Sequence, residues 1–158
     1  LGHEEPFDFD LGYRPHAGIE RMRVGTPPVI ALNLLEAALD VWDGVDIHQL
    51  REKSLELSDL FISEMARRCP DIGLACPANG LERGSQVSFS FTEGYATMQA
   101  LIARGVIGDF RAPDIIRFGI TPLYVGANDI LRAVDVLEDV ITNRLWDRPE
   151  YHVRAEVT

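Results

Sequence analysis

From Thr26 to Cys69 the apolar residues of this chain recur every three or four positions, and beyond it alternating runs enter between helical ones. That change of period separates what can be helix from what can be sheet. Ile47, Leu50, Leu57, Phe61 and Met65 form one stripe, widened by Leu55 and Ile62, which predicts a helix over about 47–68. Asp46 with Gln49 makes a capping box at its start. An earlier helix is expected to run from Thr26-Pro27-Pro28 to about Trp42. Thr26 would cap it, and Pro27 would occupy a first-turn position where an N–H has no partner anyway. Val29, Ile30, Leu32, Leu34, Leu35, Ala38, Leu39 and Val41 make this helix apolar on most sides, as in a helix buried between layers.

Past Cys69, Ile72–Cys76 is a short strand candidate, and Gln86–Thr92 alternates with Val87, Phe89 and Phe91 on one face. Tyr95–Arg104 reads as a helix ended by Gly105. Val106–Phe110 and Ile115–Ile120 read as strands joined by a turn at Arg111-Ala112-Pro113-Asp114, and a final helix is expected over about 127–144. Two long helices followed by a small, mainly antiparallel sheet with helices on one face is an α+β layout. Residues 1–25, punctuated by glycine and proline, read as an extended arm toward a separate surface. Residues 26–146 form the small domain with its connecting helices, and 147–158 a polar, mobile tail.

Composition narrows the function classes. A formal charge of −10 argues against a nucleic-acid surface, which needs clustered Lys and Arg. No apolar run approaches the roughly 20 residues that span a bilayer, and the first residues carry no basic leader, so neither membrane insertion nor secretion is expected. Cys69 and Cys76 have no metal-ligand spacing and read as free thiols of a reducing compartment, which points to the cytoplasm. Lys53 is the only lysine. It sits at the border of a helical stripe with Glu56 three residues on, as a surface ion pair would. Chemistry that needs a lysine nucleophile must use it or lie elsewhere.

Two places carry chemistry. Gly25-Thr26-Pro27-Pro28 puts a hydroxyl near a helix N-terminus, where free N–H groups and the dipole favour an anion such as phosphate; a plain N-cap is the alternative. Arg117 lies in Ile115-Ile116-Arg117-Phe118-Gly119-Ile120, a strand otherwise without charge, so its guanidinium needs an anionic partner. That partner is either a bidentate ligand carboxylate or an internal Asp or Glu. In the first case Arg117 should face an open concavity, unlocked by any acidic side chain.

The run IRFGITPLY, followed by a few loop residues and an amphipathic helix, resembles the C-terminal domain of fold-type I pyridoxal-phosphate enzymes. Within that superfamily the chain is most similar to the kynureninase family. The matching stretches are Gly2-His3 with Pro6-Phe7, the run RMRVGTPP from Arg21 to Pro28, Glu82-Arg83-Gly84-Ser85-Gln86, and Arg104-Gly105-Val106 through Tyr124. The resemblance implies hydrolysis of L-kynurenine or 3-hydroxykynurenine in tryptophan breakdown, with pyridoxal 5'-phosphate as electron sink and a homodimeric enzyme. It implies that Thr26 binds the cofactor phosphate, that Arg117 holds the substrate carboxylate, and that Gly25 and Leu1 lie near the substrate's aromatic ring. The family's cofactor-binding lysine has no counterpart here, since Lys53 lies after the Thr26 match rather than before it. The residues alone should therefore be inactive. A cysteine desulfurase, an aminotransferase and a non-catalytic dimerisation module are the competing readings.

Overall fold

The computed structural model describes residues 2–9 and 11–154. The chain divides into two units, Leu1–Val45 and Asp46–Thr158.

The first unit holds the arm and one helix. The arm folds back on itself: His3 bridges Pro15, the His16 amide donates to the Gly2 carbonyl at 2.9 Å, and the Tyr13 hydroxyl donates to the same carbonyl at 2.9 Å. Helix α1 spans Val29–Leu39, shorter than expected and without a side-chain cap. The prolines explain both differences. A residue before proline is pushed out of the helical region, so Pro27 cannot join the helix, and Pro28 itself becomes the N-cap at φ −71°, ψ 91°. Thr26 is left outside. The expectation that α1 is buried also fails for this chain, because none of its residues is buried and Ile30 and Leu34 are 80% and 68% exposed.

The second unit opens with α2, Ile47–Arg68, where the Asp46 carboxylate accepts from the amides of His48 and Gln49 at 2.8 and 3.2 Å. This is the predicted start. Strands β1 (Gly73–Leu74) and β2 (Gln86–Ser90) follow, then α3 (Gly94–Ile102), β3 (Asp109–Arg111), β4 (Ile115–Gly119), α4 (Ala127–Thr142) and α5 (Pro149–His152). The four strands form one antiparallel sheet in the order β1-β2-β4-β3. Among the described residues, no helix is long and apolar enough to cross a membrane.

Period-two alternation assigns the faces. Val87, Phe89, Ile116 and Phe118 point into a core shared with Leu57, Phe61, Met65, Met98, Val134 and Leu137. Phe61 of α2 meets Phe89 and Phe118 edge-on, with ring centroids 5.4 and 5.3 Å away. The α2–α4 packing is tied by Arg68, whose Nη1 lies 2.7 Å from Asp135 and whose Nη2 reaches Glu138. Gln86, Ser88, Arg117 and Gly119 fall on the opposite face.

Two stretches differ from expectation for local reasons. β3 begins at Asp109 rather than Val106 because the end of α3 consumes the residues before it. Gly105, at φ +81°, donates to Ile102 O, and Val106 donates to Leu101 O, both at 3.0 Å, which closes the helix with a left-handed turn. The segment after Trp146 was expected to be a mobile tail, but up to Arg154 it has defined structure. Trp146 is 7% exposed against Phe91, α5 follows it, and the Tyr95 hydroxyl donates to Val153 O at 3.0 Å.

Candidate functional site

Arg117 sits in the middle of β4, between Ser88 on β2 and Asp109 on β3 in the cross-strand register. Its apolar neighbours Ile116 and Phe118 point the other way, into the core, so the charge is never forced into apolar surroundings. The alternation that buries those two places Arg117 on the face the helices leave uncovered, with its side chain 27% exposed.

The guanidinium is not unpartnered. Its Nε donates to Asp109 Oδ1 and its Nη2 to Asp109 Oδ2, each at 2.6 Å. Of the two partners expected, the structure shows the internal one, and it corrects the expectation that a ligand-binding Arg117 would be free of acidic side chains. The hairpin imposes the pairing: the turn between β3 and β4 sets Asp109 directly opposite Arg117. Each partner holds the other's charge, since the bond from Arg117 lowers the Asp109 pKa and the bond to Asp109 raises that of Arg117. Arg111 adds a longer contact to Asp109 Oδ2 at 3.4 Å.

The expected concavity is present as well. A hollow of about 260 Å³ is lined by Gln86, Ile107, Gly108, Asp109, Arg117 and Gly119. Asp109 engages only the side-on edge of the guanidinium, Nε with Nη2. Among the described residues the end-on edge, Nη1 with the second hydrogen of Nη2, has no hydrogen-bond acceptor. A guanidinium carries five N–H groups in a planar fork, and either edge can grip a carboxylate bidentately. The hollow adjoins a more apolar crevice of about 270 Å³ that shares Ile107 and Gly119 with it and is lined also by Val106, Phe118, Ile120 and Ile130.

Gln86 reaches the hollow through a rigid entry to β2. Arg83 is almost fully buried, with its Nη1 on Pro77 O and Ala78 O at 2.9 and 2.8 Å and its Nη2 on Asp59 at 2.5 Å. Ser85 meets Ser54 of α2 at 2.7 Å, and its carbonyl accepts from Ile120 N at 2.7 Å. The segment Glu82–Gln86 thus anchors the sheet to α2 at the edge of the hollow. Sequence reasoning used these residues only as a signature and missed their structural role.

Thr26 and Gly25 belong to the first unit. Thr26 is exposed, caps no helix, and its hydroxyl has no hydrogen-bond partner among the described residues. A free hydroxyl ahead of unpaired first-turn amides is a donor set that fits a phosphate. Gly25 is half-buried, with nothing within 4 Å of the position a Cβ would take. Leu1 lies outside the described residues. Lys53 pairs with Glu56 at 2.8 Å on the surface of α2, as expected of a solvated lysine. Cys69 and Cys76 are free thiols, and burial raises the pKa of Cys69. Among the described residues no cluster of His, Cys, Asp and Glu could hold a metal ion.

Comparison with known proteins adds a family to this geometry. Residues 50–137 match the sequence profile of the kynureninase C-terminal domain. Over 159 residues the chain is 44% identical to the kynureninases of Burkholderia mallei (strain SAVP1) and Burkholderia pseudomallei (strain K96243), covering 99% of this chain and 38% of each relative. It is 43% identical over 160 residues to the kynureninase of Pseudomonas fluorescens, covering 100% of this chain and 38% of that protein.

Proposed function

Because the chain belongs to the kynureninase family, as a C-terminal portion of such an enzyme, we propose that the full-length protein hydrolyses L-kynurenine to anthranilate and L-alanine. The observation that carries the reading is the open end-on edge of Arg117 in its hollow. It offers two parallel N–H donors to one carboxylate, the group that every α-amino-acid substrate presents. Bound there, the substrate would be fixed at its carboxylate end while its aromatic end remained free to meet other surfaces.

Pyridoxal 5'-phosphate, when bound, supplies the electron sink that lets bonds to an amino acid's carbon skeleton break. Thr26 would donate its hydroxyl to the cofactor phosphate, and Gly25, lacking a side chain, would leave room for an aromatic ring. Lys53, held by Glu56 on an exposed helix face, is not placed for covalent attachment of a cofactor, so residues 1–158 alone would not turn over substrate. The apolar sides of α1 support a homodimer or a further domain as their cover. Two free thiols support a cytoplasmic protein. Kynurenine and 3-hydroxykynurenine both present the carboxylate that Arg117 would read. Family membership favours this chemistry over a cysteine desulfurase or an aminotransferase.

The test is anthranilate fluorescence from the full-length protein with L-kynurenine, beside its Arg117→Lys variant. An ammonium cannot copy a planar fork, so kcat/KM is expected to fall by about tenfold to a hundredfold. Wild-type kinetics in the variant, or sulfide from cysteine without anthranilate from kynurenine, would refute the proposal.

A further inference from the structure

Arg117 has two edges, and the protein has filled only one. Asp109 takes Nε and Nη2 with both carboxylate oxygens, a planar two-bond grip that fixes the rotation of the guanidinium about its own stem. The grip leaves the Nη1–Nη2 edge without an acceptor among the described residues. Asp109 is itself fixed, since β3 is hydrogen-bonded to β4 with Asp109 opposite Arg117. Gly108 lets β3 approach so closely that a Cβ there would lie 2.5 Å from the Arg117 carbonyl oxygen.

We infer that Asp109 is a positioning residue for substrate recognition: it holds Arg117 side-on so that the end-on edge stands ready for the substrate carboxylate. The inference rests on the proposed reading of Arg117 and deepens it. An arginine side chain is long and flexible, and freezing it at the moment of binding costs affinity that a prior clamp saves. An acidic side chain that merely competed with substrate would have to be displaced, and it would occupy the fork the substrate needs. Asp109 does neither, because the two bidentate edges of one guanidinium can be filled together. Its carboxylate stays ionised beside Arg117, so the clamp is in place before the ligand arrives. Asp109 lies on an edge strand with its side chain 47% exposed, so its replacement leaves the core intact.

The experiment uses the full-length enzyme and four proteins: wild type, D109N, D109E and R117A. The readouts are KM and kcat for L-kynurenine, and the Ki of its decarboxylated amine as a competitive inhibitor. D109N turns one accepting oxygen into a donor facing the guanidinium and leaves one bond of the two-bond grip. It should raise KM by about tenfold, the scale of ordering one long side chain, with kcat held within about twofold. The Ki of the amine, which has no carboxylate to lose, should not move in D109N or in R117A. D109E keeps the charge and should recover part of the KM. A general disturbance of folding would move KM, kcat and Ki together, and would overturn the inference. A KM that falls in D109N would make Asp109 a competitor and overturn it as well. If R117A raises KM selectively while D109N does not, the clamp is refuted and the carboxylate reading of Arg117 survives. If R117A leaves KM unchanged, both fall.

Discussion

Replacing Gly108 with alanine tests the packing that brings β3 against β4. The added Cβ would lie 2.5 Å from the Arg117 carbonyl oxygen, 2.8 Å from Met98 Cε and 3.0 Å from Phe118 Cδ1. Carbon atoms settle at about 3.5–4.0 Å, so the ring must retreat by about half an ångström and the strand by more. Methionine can yield; the β4 backbone cannot, because it is bonded to strands on both sides. Overpacking of this kind costs about 1–3 kcal/mol, offset by roughly 0.4–1 kcal/mol because alanine stiffens the unfolded chain. Gly119 is the control: it lines the same hollow, but nothing lies within 4 Å of its Cβ position. There only the unfolded-state effect operates, and Gly119→Ala should gain up to about 1 kcal/mol. Urea unfolding would be read from Trp146 in a Trp42→Phe background, so that the 7% exposed indole of the second unit reports alone. With m near 1–3 kcal/mol per molar, Gly108→Ala should lower the midpoint by about 0.5–1 M while Gly119→Ala leaves it level or higher. Equal midpoints, or a Gly108 variant more stable than wild type, would refute the close approach of the two strands.

The Asp109–Arg117 pair also gives stability a dependence on acid. Because Asp109's folded pKa lies below the free value of 3.8, its contribution is complete above that value and is lost as pH falls through the lower, folded one. The stability difference between wild type and D109N should therefore be flat above about pH 5 and shrink below the free value; a difference equal at pH 3 and pH 6 would contradict the pairing. Thr26→Ala in the full-length enzyme should weaken retention of pyridoxal phosphate by about tenfold or more, one hydrogen bond to a charged group. The same change should leave the stability of the isolated chain alone, since Thr26 caps nothing. An unchanged cofactor dissociation constant would make Thr26 a surface residue.

Much of this architecture is legible in the sequence wherever one local rule acts alone. The Asp46 cap and the stripe from Ile47 to Met65 define α2 to its ends, and the alternation of Gln86–Ser90 and Ile115–Gly119 defines the two central strands. Legibility falls where two rules compete. Thr26 has the right side chain for a cap, but two successive prolines move the helix start past it. Val106 has the right residue type for a strand, but the left-handed turn at Gly105 claims its amide. For the site, the need of Arg117 for an anion was readable and the identity of that anion was not. The register was not readable either: folding the strands about a four-residue Arg111–Asp114 turn sets Gly108 opposite Arg117, whereas the observed pairing of Arg111 with Ile115 brings Asp109 there. What the linear reading lacked was the second edge of the guanidinium, which lets an internal partner and a ligand coexist.

The alternation of β2 and β4 has a consequence for how such a protein can change over time. Mutations at Val87, Phe89, Ile116 and Phe118 are filtered by folding, because each faces a packed interior. On the proposed reading, mutations at Gln86, Arg117 and Gly119 would be filtered by recognition, because each lines the hollow. Neighbours one position apart on the same strand thus answer to different selective pressures. If the hollow binds a ligand as proposed, a lineage could change its lining through one set of positions while the other keeps the molecule folded.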